Sequence, residues 1–191
     1  MTYRDDLIRN LCGMLGCLDS GISGCDVSKI IKDEPVMAKR SRVEWIGGMY
    51  RLAYWLYFTN DAEEICMGML RMFNYVDGVV GLKIKDKLAD FANALYEVES
   101  IDSVVERACM YFAVVVGYQP FYKYNFEIGW ILANYELRRC CSDYEFYVDV
   151  VHSDEFMNAY RALREDYEEY LPEFIKECKK IALRIKEEYL R

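Results

Sequence analysis

Histidine is almost missing from this chain: among 191 residues there is one, His152. Most catalytic bases, nucleophile–base pairs and histidine-containing metal sites need that residue in a fixed constellation. A lone His152 just before a helix cap, with no evident partner, reads as a surface or cap-proximal residue, and triad-type proteolysis is excluded unless His152 is its base. Proline occurs three times and glutamine once, as Gln119. No glycine-rich P-loop and no GxGxxG after a strand is present, which removes the familiar phosphate cradles. No ExxE or ExxH arrangement paired between two helices suggests a di-metal bundle, and no CxxC occurs. Cys12, Cys17 and Cys25 stand at C-x4-C-x7-C, whereas structural zinc favours short paired spacings, so neither metal nor cofactor is expected. The longest apolar run, Ala108 to Tyr118, is too short to cross a bilayer. Asp5 and Asp6 stand where a signal peptide would carry bases, so a cytoplasmic location without a membrane partner is expected.

What is plentiful points to a folded core. Hydrophobic residues make up 53% of the chain and aromatics 15%, enough apolar surface to offset chain entropy in one domain spanning 1–191. The eight cysteines read as small core residues, with Cys109 and Cys178 on apolar helical faces. The net charge of −8 argues against a nucleic-acid partner, because phosphate binding needs clustered Lys and Arg. An acidic decoy that mimics DNA is an alternative, opposed by 24 basic residues interspersed among 32 acids, which leave no extended negative track. Scarce glutamine and threonine beside abundant Glu, Lys, Arg and Tyr resemble the bias of proteins from hot environments, while the cysteines and methionines oppose that reading.

Helical spacing runs almost throughout and predicts an all-α fold of seven or eight helices. A first helix is expected at about Tyr3 to Leu18 and a short one from Asp26. Another starts at Ser41, whose hydroxyl caps it while Glu44 reaches back. Asn60 and Asp61 open a further helix to about Tyr75, followed by one from Lys83 to Val98. Ser100 to Asp102 then mark the start of a strongly apolar central helix ending at Gly117. After a tyrosine-rich loop comes a helix from about Asn125 to Cys140. Tyr144 to Val151 alternates Phe146, Val148 and Val150, which fits a minor β-hairpin strand or an irregular helix equally. Ser153 caps the next helix, and Pro172 occupies the first turn of the last. The acidic run Glu165, Asp166, Glu168 and Glu169 reads as a solvated helix face.

The stretch Ala108 to Arg139 resembles the core of the Fic/Doc (Fido) family, all-α enzymes with the signature HPFx(D/E)GNGRxxR between two helices. Here Gln119 to Trp130 reads QPFYKYNFEIGW at unchanged length. Pro120, Phe121 and Asn125 match the motif, and Ile131, Leu132 and Asn134 match the helix that follows. The departures fall on the chemistry the resemblance implies. The family's histidine is a general base, and Gln119 in its place has no titratable nitrogen. Lys123 replaces the acid that would hold Mg²⁺, Tyr124 and Phe126 replace glycines, and Glu127 and Trp130 replace the two phosphate-binding arginines. Bulky residues do not cheaply adopt the positive φ that such glycines provide. Ser41-Arg-Val-Glu44 is similar to the autoinhibitory S-x-x-x-E helix of some Fic proteins, one residue shorter, but with Trp130 in place of the last arginine its glutamate has no partner.

No catalytic residue is therefore assigned. The expected function is a non-catalytic interaction or regulatory protein, a degenerate Fic-like fold that has lost adenylyl transfer, with a protein partner or a second copy of itself. The alternative is a divergent Fic-like nucleotidyl transferase or nucleotide binder. Two surfaces are candidates. One is the motif loop, with Gln119, Pro120, Phe121, Tyr122, Lys123, Tyr124, Asn125, Glu127 and Trp130. The other is the apolar stripe Phe174, Ile175, Cys178, Ile181 and Ile185 of the last helix, read as an interaction helix.

Overall fold

The computed structural model describes residues 23–40, 43–44, 46–51, 83, 85–122, 124–140 and 153–189. Within them the architecture is all-α. Helix α1 is Gly24–Ile31, a 3-10 turn at Lys85–Lys87 leads into α2 (Leu88–Glu99), and α3 (Val104–Tyr118), α4 (Asn125–Cys140), α5 (Asp154–Glu165) and α6 (Tyr167–Tyr189) follow. Helical backbone also occurs at 40, 43–44 and 46–51, and no strand is present among the described residues beyond an isolated bridge at Phe121. None of the described helices is long and apolar enough to cross a membrane. Lys123, Tyr144 to Val151, His152, Cys12, Cys17 and the expected helices near Tyr3 and Asn60 lie outside the described residues.

Short polar side chains set the helix starts, because the first turn of a helix leaves backbone N–H groups without intrahelical acceptors. Ser23 accepts from the Asp26 N–H at 3.1 Å and Ser153 from the Phe156 N–H at 3.2 Å. Several expected starts move: the helix expected from Asp26 begins at Gly24, and the one expected from Lys83 begins at Leu88 after the 3-10 turn. Ser103, not the residues just before it, caps α3 by accepting from the Glu106 N–H, and Ser100 instead donates its hydroxyl to the Glu97 carbonyl at 2.7 Å, closing α2. Ser41 lies outside the described residues; beside it residue 40 is already helical, the Val43 N–H donates to the Lys39 carbonyl at 3.2 Å and the Glu44 carboxylate accepts from Arg40 Nε at 2.7 Å. Asp166 divides the acidic run. Its extended backbone breaks α5 from α6 and its carboxylate accepts from the Glu169 N–H at 3.1 Å. Helix α6 consequently begins at Tyr167, and Pro172 lies inside it, at an exposed position where water can replace the lost backbone bond.

The apolar α3 is the central element, with α2, α4, α5 and α6 packed around it. Every residue from Cys109 to Val116 except the half-buried Met110 is buried. Phe112 is the hub: its ring meets Phe126 and Trp130 of α4 edge-on at 5.2 and 5.7 Å, Phe156 of α5 at 6.2 Å and Phe174 of α6 at 5.4 Å. This packing corrects the reading of the last helix. Phe174, Ile175, Cys178 and Ile181 are all buried, so the stripe on α6 covers α3 and is part of the protein's own core, which is the commoner fate of an apolar helix face. Cys178 is a free, buried thiol, and burial, followed by the neighbouring Cys109 of α3, pushes its pKa well above the ordinary range. The Ile185 side chain lies outside the described part.

Helices α3 and α6 approach closely where Gly117 faces the Tyr167 ring. A Cβ on Gly117 would stand 2.0 Å from Tyr167 Cδ2, so the ring occupies the space of the missing side chain. Tyr167 also packs edge-on to Tyr118 at 5.6 Å, and burial, followed by Tyr118 and Glu97, raises its hydroxyl to about 12. The displaced atom lies near the base of a ring wedged between helices, not at the free end of a flexible chain. Gly117→Ala should therefore lower the unfolding free energy by about 1–3 kcal/mol through overpacking, despite alanine's better helix propensity. Urea unfolding checks this; a stabilised variant would mean that Tyr167 swings away freely.

Candidate functional site

The turn between α3 and α4 is built by three local devices. Gln119 ends α3 in the left-handed region at φ 46°, its N–H donating to the Val115 carbonyl at 3.1 Å. Asn125 then clamps the turn from both sides: its Oδ1 accepts from the Phe121 N–H at 2.9 Å and its Nδ2 donates to the Phe121 carbonyl at 2.8 Å. Between them Tyr124 is also left-handed, at φ 64°, and its carbonyl accepts the Ile128 N–H at 3.0 Å to start α4. A tyrosine there costs backbone strain of about 1–3 kcal/mol. The Asn125 clamp and the buried Phe121 ring over-determine the turn and hold it. Pro120 is buried, and its carbonyl accepts the Lys83 N–H at 2.8 Å.

Over this turn lies a cleft of about 260 Å³ lined by Val116, Gln119, Tyr122, Tyr124, Asn125, Phe126 and Glu127 from the α3–α4 corner and by Tyr160 and Arg164 from α5. Five of the residues singled out from the sequence, Gln119, Tyr122, Tyr124, Asn125 and Glu127, thus share one site. Pro120 and Phe121 are buried in the turn and do not line the cleft. Trp130 does not line it: only 1% exposed, it stacks on Phe126 at 5.8 Å in the core, one turn below. Sequence reading missed the α5 wall. Tyr160 and Arg164 are one helical turn apart on a single face of α5, and only the packing of α5 beside α3 brings that face to the motif loop.

The polar groups of the cleft are of two kinds. Arg164 stands at the exposed rim, where Nη2 donates to Gln119 Oε1 at 3.4 Å and the guanidinium carbon lies 5.8 Å from the Tyr160 ring centre. Glu127 lies deeper, 7% exposed in the first turn of α4. Burial raises its pKa, opposed by a hydrogen bond from its own backbone N–H. Tyr160 packs edge-on to Phe126 at 5.2 Å; burial raises its hydroxyl, Arg164 lowers it and Glu127 raises it further. A helix start of this kind would ordinarily offer backbone amides to an anion. Here the buried Glu127 carboxyl group stands at that end, where an anion would have to sit.

The raised pKa has a thermodynamic consequence. In the unfolded chain Glu127 ionises at the ordinary carboxylate pKa, while in the folded protein it holds its proton to higher pH, so between the two values the native state binds more protons and stability falls as pH rises. Glu127→Gln removes this penalty. It should unfold at a higher temperature than the parent at neutral pH, with the advantage vanishing below the usual carboxylate range. An advantage independent of pH would mean that Glu127 ionises freely.

No family model, no curated protein and no solved structure matches this chain.

Proposed function

We propose that the chain is a non-catalytic interaction or regulatory domain, a degenerate Fic-like helix–turn–helix core that has lost adenylyl transfer, and that it binds a partner through the aromatic cleft at the α3–α4 turn. The observation that carries this reading is the use of Glu127: its buried carboxylate occupies the helix start that would have to cradle a phosphate. Gln119 cannot take a proton from a substrate, and its amide oxygen already accepts from Arg164. Around these groups Tyr122, 67% exposed, and the half-buried Tyr124 and Tyr160 supply the amphipathic rings favoured where a protein meets a partner.

A photo-crosslinking residue at Tyr122 tests the proposal in cells, with the same residue at the exposed Tyr96 of α2 as control. The expected result is a crosslinked protein, either another chain or a second copy, that forms at Tyr122, is absent at Tyr96 and is lost when Arg164→Ala is added. Thermal unfolding with Mg²⁺-nucleotides should show no shift, whereas a nucleotide at 100 times its Kd would add about 2.7 kcal/mol. A shift that disappears in Arg164→Ala would instead make the cleft a surviving nucleotide site.

A further inference from the structure

The cleft holds two opposite charges that do not meet. Glu127 is buried, 7% exposed, and among the described residues no cationic side chain stands within ion-pair reach of it. The two side-chain contacts of Arg164 are to neutral groups, the Gln119 amide oxygen and the Tyr160 ring. The two residues belong to different helices, α4 and α5, whose packing through Phe126 and Tyr160 fixes the gap between them. Protein side chains of opposite charge in one cleft normally close on each other; held apart, they present complementary ends to a ligand that carries both signs.

The walls narrow the ligand further. Tyr122, Tyr124, Phe126 and Tyr160 line the same cleft as Glu127. Aromatic faces attract ammonium groups, most strongly where water is partly excluded, and a buried carboxylate reinforces that preference. The Arg164 guanidinium at the rim matches a carboxylate, which it can hold with two parallel N–H donors. At about 260 Å³ the space lies below the roughly 300–1,000 Å³ of sites for drug-sized molecules and suits a short chain.

We propose that the cleft binds a small zwitterion, its ammonium group against Glu127 among the tyrosines and its carboxylate on Arg164. The inference rests on the reading of this cleft as the binding centre and adds the chemical class of a regulatory ligand.

Isothermal titration of the full chain with glycine betaine, γ-aminobutyrate and lysine tests it, with tetramethylammonium chloride and sodium acetate as the separated halves. The expected result is saturable one-to-one binding of at least one zwitterion, at least tenfold tighter than either half. Arg164→Ala and Glu127→Gln should each weaken it at least tenfold. Because Arg164 is exposed, its variant should fold normally, which an unchanged melting temperature of the free protein verifies. Absence of saturable binding by all three zwitterions overturns the inference. So does tetramethylammonium binding as tightly as any of them and indifferently to Arg164→Ala, which would leave a plain ammonium cage. A Tyr122 crosslink to a partner without zwitterion binding removes this inference alone; loss of the crosslink as well removes the proposed function.

Discussion

Replacing Phe112 with alanine is expected to lower the unfolding free energy by about 3–5 kcal/mol, a large part of the stability of a domain this size. The ring is 1% exposed and touches α4, α5 and α6 at once, through Phe126, Trp130, Phe156 and Phe174. Truncating it removes the apolar transfer energy of a phenyl group and leaves a cavity ringed by other rings, which are stiff and collapse poorly into it. The edge-to-face contacts add about 0.5–1.5 kcal/mol per pair beyond area. Urea denaturation should show a lower midpoint at an unchanged slope, since the surface exposed on unfolding hardly alters. Gly129 supplies an internal control. A Cβ there would lie 2.7 Å from Phe112 Cδ2, so Gly129→Ala should destabilise the parent and lose most of that effect in the Phe112→Ala background. Additive effects would mean that the two residues do not compete for one space. A loss under about 1 kcal/mol for Phe112→Ala would mean that the cluster repacks as a fluid core does, contrary to the density of protein interiors.

The same cluster carries the cleft. Phe126 turns one edge to Phe112 and another to Tyr160, so the ring that anchors α4 also sets the position of the α5 wall. Much of this was legible beforehand. Helix α4 runs from Asn125 to Cys140 as its spacing indicated, α3 is central, and Ser153 caps α5, because each depends on local periodicity or a short-range side-chain bond. Asp166 was not legible as a cap. In an acidic run every carboxylate has the same chemistry, and what distinguishes Asp166 is its backbone at φ −143° and ψ 107°, which sequence does not display. The α6 stripe illustrates a different gap: periodicity identifies an apolar face but not what covers it. The loop half of the cleft could be found because its residues lie within a few positions of one another. Tyr160 and Arg164 could not, since a tyrosine and an arginine four apart on an amphipathic helix look like any solvated pair until tertiary packing aims them. Tyr124 departs from expectation most sharply. A bulky residue at positive φ is costly in isolation, and the neighbouring Asn125 side chain, bonded to both backbone groups of Phe121, is what offsets that cost.

Removal of Arg107 should be comparable in size to the loss of Phe112, and for an electrostatic reason. Arg107 lies on α3 and Glu136 on α4; the arginine side chain is 13% exposed and the glutamate is fully buried. The guanidinium donates from Nε to Glu136 Oε1 at 2.5 Å, from Nη1 to the Ile101 carbonyl at 2.5 Å and from Nη2 to Cys140 Sγ at 3.4 Å. One planar group thereby ties the loop before α3, the body of α4 and the last residue of α4 together. Burial opposes its charge, yet Glu136 and Cys140 outweigh that and hold its pKa above the ordinary value, so Arg107 stays charged at any accessible pH. Arg107→Ala deprives a desolvated carboxylate of this cation, and breaking a buried pair from one side typically costs about 3–5 kcal/mol. Arg107→Lys keeps the charge but not the fork, and one ammonium does not reach three acceptors in different directions, so it should recover only part of the loss. Replacing both partners with methionine should be far milder than either single change, because no buried charge is then left behind. Chemical denaturation of the parent, Arg107→Met, Glu136→Met and the double methionine variant closes this cycle. A double variant as unstable as the sum of its parts would show that Arg107 and Glu136 stabilise the fold independently, as packing side chains, and not as an ion pair.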